Sequence, residues 1–157
     1  MPGPTFKLML ATPSGWVARD DAESLIVPGV EGYLGILANH APLMTAIGIG
    51  ALTYRDSAGY EHLFAVTDGF LEVSGNVATI IADAAETADH IDIERARKAL
   101  ERAKKRLDQA TSEPGIDVER ARAAYRRALN RIKVARAGGS MSPLTGSPAE
   151  RGERSHS

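Results

Sequence analysis

The segment Ile91-Asp92-Ile93-Glu94-Arg95-Ala96-Arg97 returns as Ile116-Asp117-Val118-Glu119-Arg120-Ala121-Arg122, an offset of 25 (116 − 91) that holds through Arg102/Arg127, Ala103/Ala128, Arg106/Arg131 and Leu107/Ile132. Ala96, Ala99, Leu100, Ala103 and Leu107 recur at helical spacing, as do Val118, Ala121, Tyr125, Ala128, Leu129 and Ile132, so each copy carries one narrow apolar stripe. Asp89 or Asp92 can cap the first helix and Asp117 the second, and Pro114-Gly115 breaks the chain between them. Two matched helices with a breaker between them make an antiparallel hairpin. The stripes are rich in alanine, which permits close approach but buries little area, so a hairpin of this kind is weakly held and can open.

Nothing before Asp89 shares this pattern. Short apolar runs, Phe6–Leu10, Ser24–Val27, Tyr33–Leu37, Ile47–Tyr54, His62–Val66, Phe70–Val73 and Val77–Ile81, read as strands. Between them stand Pro28-Gly29, Glu31-Gly32, Ala58-Gly59, Asp68-Gly69 and Ser74-Gly75-Asn76, which read as turns. Strands so short and regular imply an antiparallel β-sandwich or flattened barrel closed against its own edges. The expected organisation is a β-sandwich domain over 1–88, a helical hairpin over 89–137 and a disordered tail over 138–157, where Gly, Ser, Pro and balanced charge replace any apolar period.

The formal net charge of −1 conceals a division. Residues 1–90 hold 3 basic and 11 acidic side chains (3 − 11 = −8), and residues 91–136 hold 14 and 7 (14 − 7 = +7). A basic hairpin on an acidic body can dock on that body, on another acidic protein surface or on phosphates, and salt weakens each attraction. With no cysteine there is no disulfide framework and no site built on sulfur. The start reads as no signal peptide, and no run approaches membrane-spanning length. His40 lies in no nucleophile or metal pattern, so a structural or interface role is expected for it. No nucleophile and base can be paired from the sequence, which points away from an enzyme and leaves the catalytic and metal sets empty. A basic hairpin tracking a phosphate backbone, a nucleic-acid-binding module, is the alternative reading of the arginines. It leaves the other motifs unexplained, and Tyr125 stands in the apolar stripe and not on the arginine faces.

Four ordered motifs carry a resemblance: Pro28-Gly29-Val30-Glu31-Gly32-Tyr33-Leu34-Gly35-Ile36-Leu37, His40-Ala41-Pro42-Leu43, Asp68-Gly69-Phe70-Leu71-Glu72-Val73 and Ile91-Asp92-Ile93-Glu94-Arg95-Ala96. Over roughly residues 5–136 the chain resembles the epsilon subunits of bacterial F-type ATP synthases. It departs from that pattern at Asp68, where glycine is usual, and in its longer tail. The resemblance implies a non-catalytic rotor subunit that couples proton flow through the ring of c subunits to ATP synthesis. Its implied partners are the gamma subunit, the c ring and the alpha and beta subunits of the catalytic head. It further implies a peripheral position at the cytoplasmic face of the cell membrane, reached only through the complex, and no nucleic-acid partner.

By the same resemblance Glu31, Gly32, Tyr33 and Leu34 form a tip facing the ring, with Tyr33 where an acidic residue is often found, and His40 belongs to the gamma-facing side. The C-terminal helices are implied to lie folded on the sandwich or to extend toward the head and block ATP hydrolysis. Some family members bind ATP in the folded state. The matching positions are Glu86, Asp92, Arg95, Ala96, Arg102, Arg127 and Arg131, a regulatory ATP site and not a cofactor site. Guanidinium forks at helical spacing suit phosphate oxygens.

Overall fold

The computed structural model describes the backbone of residues 3–145 and the side chains through Gly138. Seven strands come first: β1 (Phe6–Thr12), β2 (Gly15–Gly29), β3 (Gly32–Leu37), β4 (Leu43–Ile47), β5 (Gly50–Asp56), β6 (Glu61–Ser74) and β7 (Val77–Thr87). A 3-10 turn over Ala88–His90 leads into helix α1 (Ile93–Gln109) and then α2 (Val118–Thr145). Strand β1 pairs parallel with β7 and antiparallel with β2, while β5 joins β2 to β6, so the sheet closes on itself. That closure leaves few free edges, as expected for a β-sandwich or flattened barrel. Phe6, Leu8, Leu10, Leu25, Val27, Leu52, Leu71 and Ile80 are among the side chains buried at its centre.

Strand lengths differ from the sequence expectation in three places. Strand β2 begins at Gly15, nine residues before Ser24 (24 − 15 = 9), because its first half pairs with β1 although Arg19, Asp20, Asp21 and Glu23 mask any alternation. The run Ile47–Tyr54 is two strands, β4 ending at Ile47 and β5 starting at Gly50. Asp68-Gly69 is no turn but the middle of β6. Asp68 has φ 39°, and the inward side chains switch there from even positions (Phe64, Val66) to odd ones (Leu71, Val73). Strand β7 pairs alongside with Ala84 opposite Thr67 and Ala82 opposite Gly69, and a Cβ on Gly69 would lie 2.8 Å from the Ala82 Cα. Asp68 therefore adopts a left-handed backbone that glycine would enter at less cost, and Gly69 supplies the space in which β7 lies close alongside β6.

Helix α2 has two working faces. Ala121, Ala128 and Ile132 are buried against α1, where Ala96 and Ala103 answer them. Asn130, Arg131, Val134, Ala135 and Gly138 form a second face that lies on the sandwich, with Val134 and Ala135 packed against Ala65, Ala88 and Ile91. Gly138 abuts Ala88 so closely that a Cβ there would collide with it. The helix runs past Ala137, overlapping the expected tail, because this contact continues the docking face. The remainder of that expected tail, 146–157, lies outside the described residues.

Candidate functional site

Two regions collect the functional positions, the tip of the β2–β3 hairpin and the helical hairpin with the strand end beneath it. At the tip, Val30 and Glu31 make the reversal and are exposed; Gly32 (φ 136°) opens β3, and Leu34 is half-buried. Tyr33 is 61% exposed, yet its hydroxyl is anchored, accepting the Ala51 N–H at 3.1 Å. The carbonyl of that same peptide group, on Gly50, accepts the Asn130 side-chain N–H at 2.9 Å. Gly50 sits between Pro28 and Tyr33, where a Cβ would lie 2.5 Å and 2.8 Å from their nearest atoms. One peptide therefore touches both the tip and the hairpin. His40 is half-buried in the β3–β4 connection, and its Nδ1–H donates to the Ala41 carbonyl at 2.7 Å.

An open apolar row crosses β4, β6 and β7. Ala46, Phe70 and Ile81 are mutual cross-strand partners, so they share a face, and Met44 stands two positions along β4 from Ala46. Phe70 is 62% exposed, Ile81 58% and Met44 70%. Large apolar side chains grouped in this way mark a binding surface. Sequence inspection missed the row because alternation alone does not say which face of a strand is covered.

The seven matched positions do not converge on one point. Glu86, near the end of β7, meets Arg131: Nη2 donates to Oε2 at 2.9 Å, and Nε lies 2.7 Å from Oε1 without alignment for a second hydrogen bond. Asp92 caps α1, its Oδ1 accepting the Arg95 N–H at 3.0 Å, as the local sequence suggests. The Arg95 side chain is exposed, and Ala96 is fully buried in the helix seam. Arg102 and Arg127 line a groove of ≈ 680 Å³ between the helices, toward the connecting turn. Arg106 and Arg120 line it too, although neither is among the matched positions. Their signal in the sequence is symmetry, since each lies seven residues from Glu113 in the turn (113 − 106 = 7; 120 − 113 = 7).

A third cluster is structural. Asp56 is 3% exposed, and its Oδ1 accepts the N–H groups of Ala58 (2.9 Å) and Tyr60 (3.0 Å). Its Oδ2 accepts from His62 Nε2 at 2.8 Å, and Tyr54, stacked on His62, donates to Asp20 at 3.2 Å. Asp20, Asp56 and His62 bring one potential metal-ligand atom each within 4.8 Å of one another. Those atoms already bond within the cluster, so it serves to fasten the β5–β6 turn.

A closed β-sandwich bearing a docked basic helix pair defines a class, and the family models identify it: residues 5–88 match the beta-sandwich domain of the ATP synthase delta/epsilon chain, and residues 89–136 match its long alpha-helix domain. Among curated relatives, the ATP synthase epsilon chain of Carboxydothermus hydrogenoformans is 50% identical over 105 residues, covering 67% of this chain and 78% of that one. That of Syntrophomonas wolfei is 43% identical over 109 residues, covering 69% and 80%. The fold is shared with a chain in a structure of the Euglena gracilis mitochondrial ATP synthase containing OSCP, F1 and the c ring (TM-score 0.71, 20% identity, 83% of this chain and 81% of that chain). A second likeness, at TM-score 0.51 and 18% identity, is to a chain from the central stalk and c ring of the Tetrahymena thermophila enzyme, covering 88% and 99%. This chain belongs to the epsilon subunits of F-type ATP synthases. Among the described residues no helix is long and apolar enough to cross a membrane.

Proposed function

We propose that this chain is a non-catalytic central-stalk subunit that couples proton flow through the c ring to ATP synthesis, and whose hairpin restrains ATP hydrolysis when it leaves the sandwich. The observation that carries this reading is the second face of α2. It rests on the sandwich through Val134, Ala135 and Gly138, one side-chain amide bond and one ion pair. An attachment this small can be exchanged for another surface. The row of Met44, Phe70 and Ile81 is the proposed seat of the gamma subunit, with His40 on the connection leading to it. The tip at Glu31, Gly32, Tyr33 and Leu34 is the proposed contact with the c ring. A hairpin of charge +7 suits an acidic surface on the alpha and beta subunits of the head. Membership of the complex then holds the chain at the cytoplasmic face of the membrane.

The test is truncation after Ala88 in the assembled enzyme. Coupled synthesis is expected to persist and ATP hydrolysis to rise; equal restraint by full-length and truncated chains refutes the regulatory role. ATP is the proposed ligand of the compact state, at the matched positions Glu86, Asp92, Arg95, Ala96, Arg102, Arg127 and Arg131; since these do not converge here and Ala96 is buried in the seam, its binding requires the polar ones to draw together around it. Here it must compete with Glu86 for Arg131. In calorimetric titration Arg131→Ala is expected to weaken ATP binding and Arg122→Ala to leave it nearly unchanged; equal losses defeat the site.

A further inference from the structure

The cluster that fastens the β5–β6 turn carries more negative charge than its own groups neutralise. Leu52, Tyr54 and Asp56 take the inward positions of β5 and are buried. His62 is the cross-strand partner of Tyr54, and Asp20 pairs with the fully buried Leu8. Asp56, His62 and Asp20 therefore meet at one inward-facing end of the sandwich. Their formal total is −2 with a neutral imidazole (−1 − 1 + 0) and −1 with a protonated one (−1 − 1 + 1). Neither state is balanced, and Asp20 takes part in no ion pair among the described residues. Charge held at the end of an apolar core is costly unless it is matched.

The three side chains are oriented by bonds to the chain around them. Asp56 Oδ1 accepts the Ala58 and Tyr60 N–H groups, which fixes the carboxylate plane and aims Oδ2 at His62 Nε2. Asp20 Oδ1 accepts the Asp21 N–H at 2.9 Å, and its Oδ2 accepts the Tyr54 hydroxyl. The His62 ring lies flat on Tyr54, with centroids 4.4 Å apart and planes 11° from parallel. One potential ligand atom from each residue thus lies within 4.8 Å of the other two, the nearest pair being 2.8 Å apart. Ligands of a tetrahedral ion at about 2 Å stand roughly 3.3 Å from one another, so the cluster needs to close by at most about 1.5 Å and open by about 0.5 Å.

We propose that Asp20, Asp56 and His62 form a structural binding site for a divalent transition-metal ion, zinc being the best match to one imidazole nitrogen and two carboxylate oxygens. Coordination uses the Nε2 lone pair. The proton that Nε2 shares with Asp56 Oδ2 is released to solvent from an imidazolium, or moves to Nδ1 in a neutral ring. Asp20 also lines an open pocket of ≈ 460 Å³, and water from that side completes the fourth position. The dication brings the total to zero (+2 − 2) and ties β2 to the β5–β6 turn, reinforcing the bond from the Ser57 N–H to the Asp21 carbonyl. Six residues separate Asp56 from Gly50 beside the tip (56 − 50 = 6), roughly 20 Å along the strand, so the site stands apart from the tip.

Titration of the full chain, first freed of metal by a chelator, with zinc chloride tests this. Zinc is expected to bind one to one by calorimetry and to raise the midpoint of thermal unfolding, since an ion held only by the folded chain stabilises it. Asp20→Asn, which keeps an oxygen for the Asp21 N–H, and His62→Gln are each expected to lower the affinity about tenfold or more. His40→Gln and His90→Gln, at histidines outside the cluster, are expected to change it less than about twofold. Cobalt in place of zinc reads the site without any variant: a four-coordinate ion absorbs strongly in the visible, and a six-coordinate one weakly. The strong spectrum is expected. No binding, a six-coordinate cobalt spectrum, a lowered unfolding midpoint, or affinity that survives both Asp20→Asn and His62→Gln overturns the proposal.

Discussion

Removing the Glu86–Arg131 contact should shift the docking equilibrium of the hairpin by a measurable and bounded amount. The two side chains are 24% (Arg131) and 36% (Glu86) exposed, with N···O separations of 2.7 and 2.9 Å. An exposed pair contributes about 0.2–1 kcal/mol and a charge-assisted hydrogen bond about 1.5–3 kcal/mol. This one lies between them, so a coupling of about 1.5 kcal/mol is expected, roughly tenfold in the docking constant. Hydrogen exchange measures it. Most helical stability in proteins comes from tertiary packing, so amides of α2 near Asn130–Ala135 are expected to exchange when the hairpin leaves the sandwich. Arg131→Gln should speed those amides about tenfold while β7 around Ile80, in the closed sheet, stays protected. The single changes and the double change with Glu86→Gln form a thermodynamic cycle. At about 1 M salt, where the screening length is about 3 Å, the coupling should shrink without vanishing. Additive effects of the two changes, or faster exchange that spreads equally into β7, would refute the assignment of this pair as the fastening of α2.

Asp56→Ala should lower the urea unfolding free energy by about 3 kcal/mol, since it leaves the Ala58 and Tyr60 N–H groups and His62 Nε2 without their shared acceptor. Asp56→Asn, which keeps an oxygen for the backbone, should cost less, and equal losses would show that the acceptor role is not what matters. Gly69→Ala should destabilise the sandwich by about 1–3 kcal/mol in the same assay with an unchanged denaturant slope, because its Cβ meets the Ile81–Ala82 backbone of β7. An alanine variant as stable as the parent would mean that the two strands separate more easily than their pairing suggests.

Features set by neighbouring residues were readable in advance. Asp92 and Asp117 cap where their spacing places them, and the alanines at helical spacing form the seam. The closed sheet followed from the number of short strands, although β4 was hidden because Leu43–Ile47 runs straight into the apolar start of β5. Asp68-Gly69 has the composition of a turn, but its tertiary neighbours use that freedom to bring β7 close alongside β6. Contacts between distant positions were beyond local pattern. Glu86 and Arg131 are 45 residues apart (131 − 86), and only docking brings them together. The same holds for the docking face of α2, whose last member, Gly138, reads as a helix terminator until Ala88 is placed against it.

The Gly50–Ala51 peptide couples two surfaces that lie far apart in the chain. Its N–H is held by the tip residue Tyr33 and its carbonyl by Asn130 of α2. Amide resonance makes such a group respond as a unit: drawing electron density toward oxygen at one end makes the hydrogen at the other a better donor. Each bond therefore strengthens its counterpart, and the effect is reciprocal, as linkage requires. Tyr33 of the tip and Asn130 of the docked helix thus share one planar group, and losing the Asn130 bond is expected to slacken the hold of Tyr33 on the strand beneath it.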